Sequence, residues 1–275
     1  MGRHLEMITS RQNTLLVETH KLSDRKHRSR SGNFRFDGVK LAVEALLRDV
    51  ELVAVLLRQS DAEAVIQRVC ALAGREFSDG TRLVCVADHV FDSLSEESAP
   101  EGVICVAKMQ GEWHRTWQID MDTPVREEHI MLLESVRDPS NLGAIIRCAA
   151  ALGIDRLILS ADCADIYSAK TVRASMGTLF SQRIDRTDAL TEYIAHLRAD
   201  GRRVFAAALD ESAQQLGSFA VQGGDCAVIG NEGHGLSQAV IAACSHTVYI
   251  PMTDRAESLN AAVAAALLMW EFRRQ

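Results

Sequence analysis

The sequence predicts an α/β protein built from two units. Apolar runs of strand length alternate with helical patterns from Phe34 to Cys105, and again from His129 to the C-terminus. Between these regions, residues 111–128 lose the periodicity and carry Pro124 among charged residues, which is typical of a linker. The chain has 275 residues, 47% hydrophobic and 24% charged, so disordered and fibrous classes are excluded.

The first unit, predicted to span residues 1–112, contains a helix and three strands. The helical spacing of apolar residues is found in LAVEALLRDV, at 41–50. The strands are predicted at ELVAVLL, TRLVCVA and GVICVAK, because these runs are short and rich in β-branched residues. A small α/β domain is therefore expected ahead of a linker at 113–128.

The second unit, predicted to span residues 129–275, repeats a strand and then a helix. The strands are predicted at HIMLLESV, RLILS, TLFSQRI, RRVFAAAL, CAVIG and TVYIP, and the helices at 141–152 and near 168–176, 187–199, 236–243 and 258–272. This alternation indicates a mostly parallel sheet covered on both faces. Ligands of such sheets lie beyond the carboxyl ends of the strands, so the candidate site lies in the loops 136–141, 230–235 and 251–258.

The first of these loops leads into a helix. Pro139 blocks extension of any earlier helix, and Ser140 or Asn141 can cap the one that follows. Gly143 and Arg147 are four residues apart and share a helix face. A guanidinium group held there suits a two-pronged grip on a phosphate, and an ion pair with a carboxylate of the protein is the alternative.

The second loop, in CAVIGNEGHGLS, is rich in glycine. Gly230, Gly233 and Gly235 are spaced G-x-x-G-x-G, which is the reverse of the dinucleotide fingerprint. Free backbone N–H groups before a helix favour a nucleotide-like or carboxylate ligand, and a plain tight turn is the alternative. Glu232 either complements the helix end or orients a substrate.

The third loop precedes the last helix, in VYIPMTDRAESLNAAVAAALLMWEF. Ser258 is a natural N-cap. The helix after it is apolar nearly all round, which indicates a deep core or a subunit interface. Asn260 has no apolar role, and a polar contact to a ligand or a loop is expected for it.

The segments DPSNLGAIIR, IGNEGHGLS and IPMTDRAESLNAAVA, in this order, resemble the three signature motifs of the SpoU (TrmH-type) RNA methyltransferases of the SPOUT superfamily. SDRKHRSRSGNFRFDGVKLAVEALL and LSEESAPEGVICVA resemble the N-terminal substrate-binding domain of many members. The resemblance implies a SPOUT domain with a trefoil knot, S-adenosylmethionine as methyl donor and a ribose 2′-hydroxyl of RNA as acceptor. It also implies a homodimer with its active site at the subunit interface. The RNA is ribosomal or transfer RNA, with ribosomal RNA favoured.

The same resemblance implies the site residues. The polar active-site positions are Asn141, Arg147, Glu232, Ser258 and Asn260. The donor-binding positions are Leu209, Gly230, Asn231, Ile250, Met252, Ser258, Leu259 and Asn260. Arg147 is either the general base or a group that holds the phosphate beside the target ribose. A guanidinium pKa above about 12 favours the second role.

The charge is unevenly distributed. The net charge is −7, yet residues 11–40 hold eight basic residues against three acidic ones, which leaves −12 on the remainder. A solvated arm and a phosphate-contacting segment both explain this pattern. The candidate RNA contacts are Arg25, Lys26, Arg28, Arg30 and Arg35.

Several functional classes are excluded or disfavoured. No metal site is expected, because the nine histidines and seven cysteines lack ligand spacing, and the thiols are expected to be reduced. The longest apolar run, Ala261 to Trp270, is about half of the ~20 residues that a membrane span needs. The start MGRHLEM lacks signal-peptide features, so a cytoplasmic location is expected. The residues before Met7 resemble vector-derived residues.

Three alternative functions are weighed against RNA 2′-O-methylation. A catalytically silent RNA-binding or ribosome-assembly factor on the same fold is disfavoured, because the polar residues of all three motifs are intact. A nucleotide- or NAD-dependent enzyme is disfavoured by the missing G-x-G-x-x-G after the first strand. Methylation of a base nitrogen is disfavoured by the S-L-N of the third motif.

Overall fold

The structure, a computed structural model, describes residues 5–97, 99–111, 114–116 and 128–274. The chain forms two compact units. The first comprises Met1–Gln110 with Tyr167–Phe180, and the second comprises Gly111–Ile166 with Ser181–Gln275. The predicted domain boundaries at 112/113 and 128/129 stay a prediction, and much of the predicted linker lies outside the described residues.

The first unit contains a mixed five-stranded sheet. Its strands are β1 (Glu6–Ile8), β2 (Asn33–Asp37), β3 (Leu52–Arg58), β4 (Arg82–Val86) and β5 (Val103–Lys108), and its helices are α1 (Thr14–Lys21), α2 (Arg25–Ser31), α3 (Val39–Leu47), α4 (Ala62–Ala73) and α5 (Asp88–Leu94). The strand order is β1-β4-β3-β5-β2, in which β3 pairs parallel to β4 and antiparallel to β5. The predicted helix and three predicted strands of this unit are confirmed.

The basic segment 11–40 is folded within this unit. Asp24 caps α2 by accepting hydrogen bonds from the N–H groups of Lys26 and His27, and Gly32 ends the helix at a φ of 67°. These signals are the usual ones for a helix start and stop, so α2 is a defined element and not a solvated arm.

Two of the five predicted RNA contacts belong to the fold instead. Arg28 is 4% exposed, and its guanidinium group donates to the carbonyl oxygens of Leu22 (2.6 Å) and Ser23 (2.9 Å). Arg35 is 2% exposed. It donates to the carbonyl oxygen of Leu94 at 3.0 Å and pairs with the carboxylate of Asp37 at 3.0 Å. The prediction of these two residues as RNA contacts is therefore corrected, because their donors are used inside the protein.

The second unit contains an eight-stranded sheet in which every described pairing is parallel. Its strands are β6 (His114–Thr116), β7 (Ile130–Leu133), β8 (Arg156–Ser160), β9 (Arg183–Thr187), β10 (Val204–Ala207), β11 (Gln214–Gln215), β12 (Cys226–Ile229) and β13 (His246–Tyr249). The remaining helices are α6 (Pro139–Leu152), α7 (Ala169–Ser175, within the first unit), α8 (Leu190–Ala199), α9 (Gln238–Ala243) and α10 (Ala261–Arg273). The strand order is β11-β13-β10-β12-β7-β8-β9-β6. The predicted mostly parallel sheet is confirmed, and the trefoil knot stays a prediction.

One predicted strand is wrong in its position. TLFSQRI does not form a single strand, because Thr178–Phe180 is a 3₁₀ turn and β9 begins only at Arg183. Gly177, at a φ of 88°, starts the turn, and its carbonyl accepts a hydrogen bond from the N–H of Phe180. The ring of Phe180 packs on Phe34 and Phe36 of the first unit's own core, so its apolar character serves that core and not the sheet.

The core of the second unit packs neighbouring strands against α8. Leu132, Ile158 and Val228 on neighbouring strands are at most 1% exposed and pack with Ile194 and Leu197 of α8. Continuous apolar strands of this kind explain why the sheet is parallel and covered. Among the described residues, no helix is both long and apolar enough to cross a membrane.

Candidate active site

Two of the three predicted loops follow neighbouring strands, and the third follows a strand of the same sheet that is two positions away. β7 pairs with β12 through Leu133 and Ile229, and β10 lies between β12 and β13. The segments after β7, β12 and β13 therefore leave the sheet at the same edge, where ligands of parallel sheets bind.

A row of three hydrogen-bonded side chains joins the three motifs. The side-chain amide of Asn141 donates to Glu232 Oε1 at 2.8 Å. Asn260 Nδ2 in turn donates to Asn141 Oδ1 at 2.9 Å. Asn260 Oδ1 accepts from the N–H of Ala262, so the far end of the row is fixed to the start of α10. The row therefore holds the Glu232 carboxylate in a defined orientation, with one oxygen bonded to Asn141.

The helix caps at this site differ from those that the sequence predicts. Asp138, and neither Ser140 nor Asn141, caps α6, because its side chain accepts from the N–H of Asn141 at 2.9 Å and Pro139 follows it. Asn260, and not Ser258, caps α10. Asn141 is thereby free to use its side chain in the row, whereas Asn260 serves both the row and the helix.

The glycine-rich turn after β12 is closed by its own backbone. Asn231 and Gly235 exchange two N–H···O hydrogen bonds of 3.0 Å. A Cβ atom at Gly230 would lie only 2.3 Å from the carbonyl carbon of Gly235, so no other residue fits there without moving the turn. The Asn231 side chain accepts from the N–H of Gly233 and donates to the carbonyl of Ser135, which ties the turn to the segment after β7.

A second polar network supports that tie, and the sequence reasoning missed it. Ser135 has a φ of 54°, an uncommon conformation for a residue other than glycine. Its hydroxyl donates to Asp162 at 2.5 Å, and its N–H donates to Ser160 Oγ at 2.8 Å. Burial opposes ionisation of Asp162, but hydrogen bonds from Ser135, Ser160 and Arg137 outweigh it and lower the pKa of that carboxyl. Asp162 therefore stays ionised at neutral pH, and no motif in the sequence marks it.

A cavity of about 560 Å³ opens beside the row. Seven of the eight predicted donor-binding residues line it, namely Leu209, Gly230, Asn231, Ile250, Met252, Ser258 and Leu259. Asn260 does not line it, whereas Glu232, Tyr249 and Ile241 do. The volume lies in the range of small-molecule sites, which are mostly apolar with a few polar groups.

Three large apolar side chains at this cavity are exposed. Leu209 is 75% exposed, Met252 42% and Leu259 36%. Exposed apolar side chains that converge on one concave surface are typical of a ligand site.

Arg147 does not take part in the row. It is exposed on α6, and the described residues offer it no hydrogen bond or ion pair. Its neighbours on the same helix face are the small residues Ala144, Cys148 and Ala151. The structure thus brings Asn141, Glu232 and Asn260 together, with Ser258 in the cavity wall, and gives Arg147 no partner within the described ranges.

The last helix, α10, has two apolar faces, of which one is buried and the other is exposed. α10 buries Ala265, Leu268 and Met269, and it packs against α6. On its other side Val263, Leu267 and Trp270 are 49%, 40% and 57% exposed. This apolar stripe has the i, i+4, i+7 spacing of one helix face.

The ranges that the structure describes contain no group of three histidine, cysteine or acidic side chains that could hold a metal ion. All seven cysteines are free thiols. Burial raises the pKa of Cys226 and Cys244 to about 12. These thiols are therefore neutral and structural.

Comparisons with known proteins identify both halves of the chain. The sequence profile of the SpoU rRNA Methylase family matches residues 128–270, and that of the MRM3-like substrate binding domain matches residues 13–105. The 23S rRNA (guanosine(2553)-2′-O)-methyltransferase RlmP of Bacillus subtilis is 28% identical over 98% of this chain and 100% of its own length. The 23S rRNA (uridine(2479)-2′-O)-methyltransferase of Streptomyces viridochromogenes is 32% identical, over 98% and 92%.

Solved structures agree with these relatives. The AdoMet-bound rRNA methyltransferase from Sinorhizobium meliloti superposes with a TM-score of 0.81 at 28% identity, and the match covers 98% of each chain. The SpoU methyltransferase AviRb from Streptomyces viridochromogenes, in complex with AdoMet, superposes with a TM-score of 0.77 at 28% identity, over 96% of this chain and 98% of that one. AdoMet is S-adenosylmethionine.

Proposed function

Because the chain belongs to the SpoU rRNA methylase family, we propose that it transfers a methyl group from S-adenosylmethionine to a ribose 2′-hydroxyl of 23S rRNA. The observation that carries the proposal is the row Glu232–Asn141–Asn260, because it joins the three motifs and ends on a residue of the cavity wall. An rRNA substrate also places the protein in the cytoplasm in this proposal.

The cavity fits the methyl donor. Leu209, Met252 and Leu259 offer apolar surface to a flat ring, and a bound ligand would cover these exposed side chains. The turn at Gly230 and Asn231 supplies the backbone wall. When bound, S-adenosylmethionine supplies a methyl group on a positively charged sulfur.

The polar row orients the acceptor. Asn141 donates to Oε1 of Glu232, and Asn231 donates to Oε2 at 3.4 Å. Each carboxylate oxygen can accept a further hydrogen bond, so the fixed carboxylate presents this remaining capacity to the 2′-hydroxyl. Asn260 fixes the amide of Asn141 in the orientation that donates to Glu232. This arrangement lowers the entropic cost of placing the hydroxyl oxygen in line with the methyl group.

Arg147 supplies positive charge. Negative charge develops on the 2′-oxygen as its proton passes to the Glu232 carboxylate, which accepts its hydrogen bond, and a guanidinium group that holds the neighbouring phosphate stabilises that charge. A guanidinium group keeps its proton at neutral pH, so it cannot readily accept another one as a base. We therefore propose the positioning role for Arg147.

A homodimer completes the site in this proposal. The apolar stripe Val263, Leu267 and Trp270 on α10, and the small-residue face of α6 that carries Arg147, are suited to pair with a second copy of the chain. Arg147 gains its partners there, since none is found among the described residues of one chain.

The first unit binds RNA in this proposal. Of the predicted contacts, Arg25, Lys26 and Arg30 are exposed on α2. The match of residues 13–105 to a substrate binding domain supports the assignment. Lysine and arginine on one helix release counterions from an RNA backbone when they bind it.

The test measures donor binding and methyl transfer separately. Calorimetry with S-adenosylmethionine in EDTA is expected to show binding, because the proposed site uses no metal ion. A 23S rRNA transcript is expected to accept labelled methyl groups, which nuclease digestion then locates on ribose. A folded protein that binds no donor at millimolar concentration would favour a silent RNA-binding factor, and label on a base would favour nitrogen methylation.

A further inference from the structure

A second, smaller cavity adjoins the glycine-rich turn. Its volume is about 160 Å³, and its walls include Glu134, Ser135, Arg137, His234 and Ser237. It shares Asn231, His234, Gly235 and Leu236 with the larger cavity. A group bound in it would therefore lie next to the proposed donor and to Glu232.

Two planar side chains of this cavity have free hydrogen-bonding capacity. The Arg137 side chain is 67% exposed, and one of its nitrogens is held by Asp162 at 2.9 Å. The His234 backbone N–H donates to Asn231, which fixes the residue, while its ring has no hydrogen bond to any residue that the structure describes. An anchored guanidinium and an exposed imidazole are both groups on which unstacked RNA bases stack.

The local charge disfavours a phosphate in this cavity. Glu134 lies in the wall and accepts hydrogen bonds from the hydroxyl (2.7 Å) and the N–H (2.8 Å) of Ser237, which is the N-cap residue of α9. Asp162 neutralises Arg137. The one guanidinium group at this cavity is therefore accompanied by two carboxylates, so a neutral ligand is favoured over an anionic one.

The volume of this cavity also fits a neutral, planar group. A cavity of about 150 Å³ is large enough for one benzene ring. From the size, the two planar walls and the charge, we propose that this cavity is a nucleobase subsite of the RNA acceptor, in which a splayed-out base stacks on His234 and Arg137. The inference deepens the proposed methyl transfer and rests on it for the identity of the RNA.

The kinetic test replaces the His234 ring. His234→Ala is expected to lower kcat/KM for the 23S rRNA transcript roughly tenfold to a hundredfold, the range for losing one base stack, with the Kd for S-adenosylmethionine changed by less than about twofold. His234→Phe restores the stacking surface and is expected to recover most of the loss, whereas His234→Gln is not. His196→Ala, on α8, is the matched control with wild-type activity.

Rescue by phenylalanine separates stacking from a purely structural role, because a structural imidazole would not be replaced by a benzene ring. Wild-type kcat/KM in His234→Ala, or equal losses in the Phe and Gln variants, would overturn the inference. Arg137→Lys keeps the charge but loses the planar group, so a raised KM for RNA with unchanged donor affinity is expected.

A direct measurement needs no methyl transfer. Histidine ring resonances are recorded by NMR while uridine, cytidine, adenosine or guanosine 5′-monophosphate is added, and His234→Ala assigns the resonance. A stacked base is expected to shift the His234 signal, and ribose 5-phosphate is expected to leave it in place. Equal shifts with ribose 5-phosphate, or none with any nucleotide, would overturn the subsite. A wild-type protein that methylates no rRNA but shows the base-dependent shift would instead overturn the proposed reaction alone.

Discussion

Arg35 in the first unit and Arg147 in the second show two opposite fates of an arginine. Arg35 is 2% exposed, and its guanidinium group is bonded to Leu94 and Asp37. Arg147 is exposed and has no partner among the described residues. The sequence predicts a functional contact for both. An arginine therefore serves the fold where carbonyl and carboxylate oxygens surround it, and is available to a substrate where they do not.

The largest expected effect tests the buried member of this comparison. Arg35→Met is expected to lower the free energy of unfolding by about 3–5 kcal/mol, because it leaves the buried Asp37 carboxylate without its cation. Denaturant unfolding followed by circular dichroism measures this change. The exposed Arg30→Met in the same unit is the control, with a change within about 0.5 kcal/mol. Equal stabilities of the two variants would show that burial does not separate these arginines.

The next effect tests the exposed member. Arg147→Ala is expected to reduce turnover about 10²-fold, which is the scale of losing one preorganised electrostatic contact, while donor affinity and unfolding stay as in the wild type. Single-turnover methylation and calorimetry measure the two quantities. Arg68→Ala, at an exposed position of α4, is the control. Wild-type turnover in Arg147→Ala would remove this residue from the active site.

Arg147→Lys sharpens the assignment. Lysine keeps the charge but loses the two-pronged geometry, so a positioning role predicts partial turnover with a raised KM for RNA. A base role predicts a new pH dependence instead, since the reference pKa of lysine is about 10.4. The pH–rate profile of this variant distinguishes the two.

The outcome for these arginines shows how far sequence reasoning reaches. The strands of the second unit could be predicted, because buried parallel strands are continuous apolar runs. The buried role of Arg35 could not be predicted. A count of charges treats each basic residue as solvated, whereas the carbonyl partner of Arg35, Leu94, lies 59 residues further along the chain. The 3₁₀ turn after Gly177 could not be predicted, because the apolar Phe180 suggests a strand of the sheet, whereas its ring packs on Phe36 in the core of the first unit.

The candidate site shows the same limit. The resemblance predicts Asn141, Glu232 and Asn260 singly, but their mutual hydrogen bonds depend on the order of strands in the sheet. The predicted caps of α6 and α10 are wrong, because Ser, Asp and Asn near a helix start offer similar side-chain acceptors and only the backbone conformation selects one of them. Asp162 carries no signal at all, since its role depends on the φ of Ser135.

The proposed dimer, in which Arg147 would gain its partners, is tested at Trp270. Trp270 is 57% exposed on the apolar stripe of α10, and aromatic side chains at the centre of an interface often contribute 2 kcal/mol or more. Trp270→Glu is therefore expected to raise the dimer dissociation constant at least about 30-fold and to lower activity with it. Light scattering at micromolar concentration measures the mass, with the exposed Leu72→Glu of the first unit as control. A monomeric wild type would contradict the proposed dimer.

The smallest effect concerns exposed basic residues that act on RNA by charge alone. Lys26 and Arg30 on α2 are exposed and form no ion pair with any described residue, which makes them the first unit's counterparts of Arg147. The logarithm of the RNA association constant falls linearly with the logarithm of the salt concentration. Replacing both residues with glutamine is expected to make this slope less steep by about 1.4 to 1.8, since each phosphate contact contributes roughly 0.7–0.9. Donor binding and turnover at saturating RNA should be unchanged, because neither residue touches the cavity.

The matched control is the double variant Arg48→Gln/Arg68→Gln, which removes the same charge from other exposed positions of the first unit. A general electrostatic attraction would lower the slope equally in both double variants, because the net charge changes equally. A specific contact face on α2 lowers it only in the first. An unchanged slope in both would mean that α2, unlike Arg147, is solvated surface, and that the substrate-binding unit holds RNA through other residues.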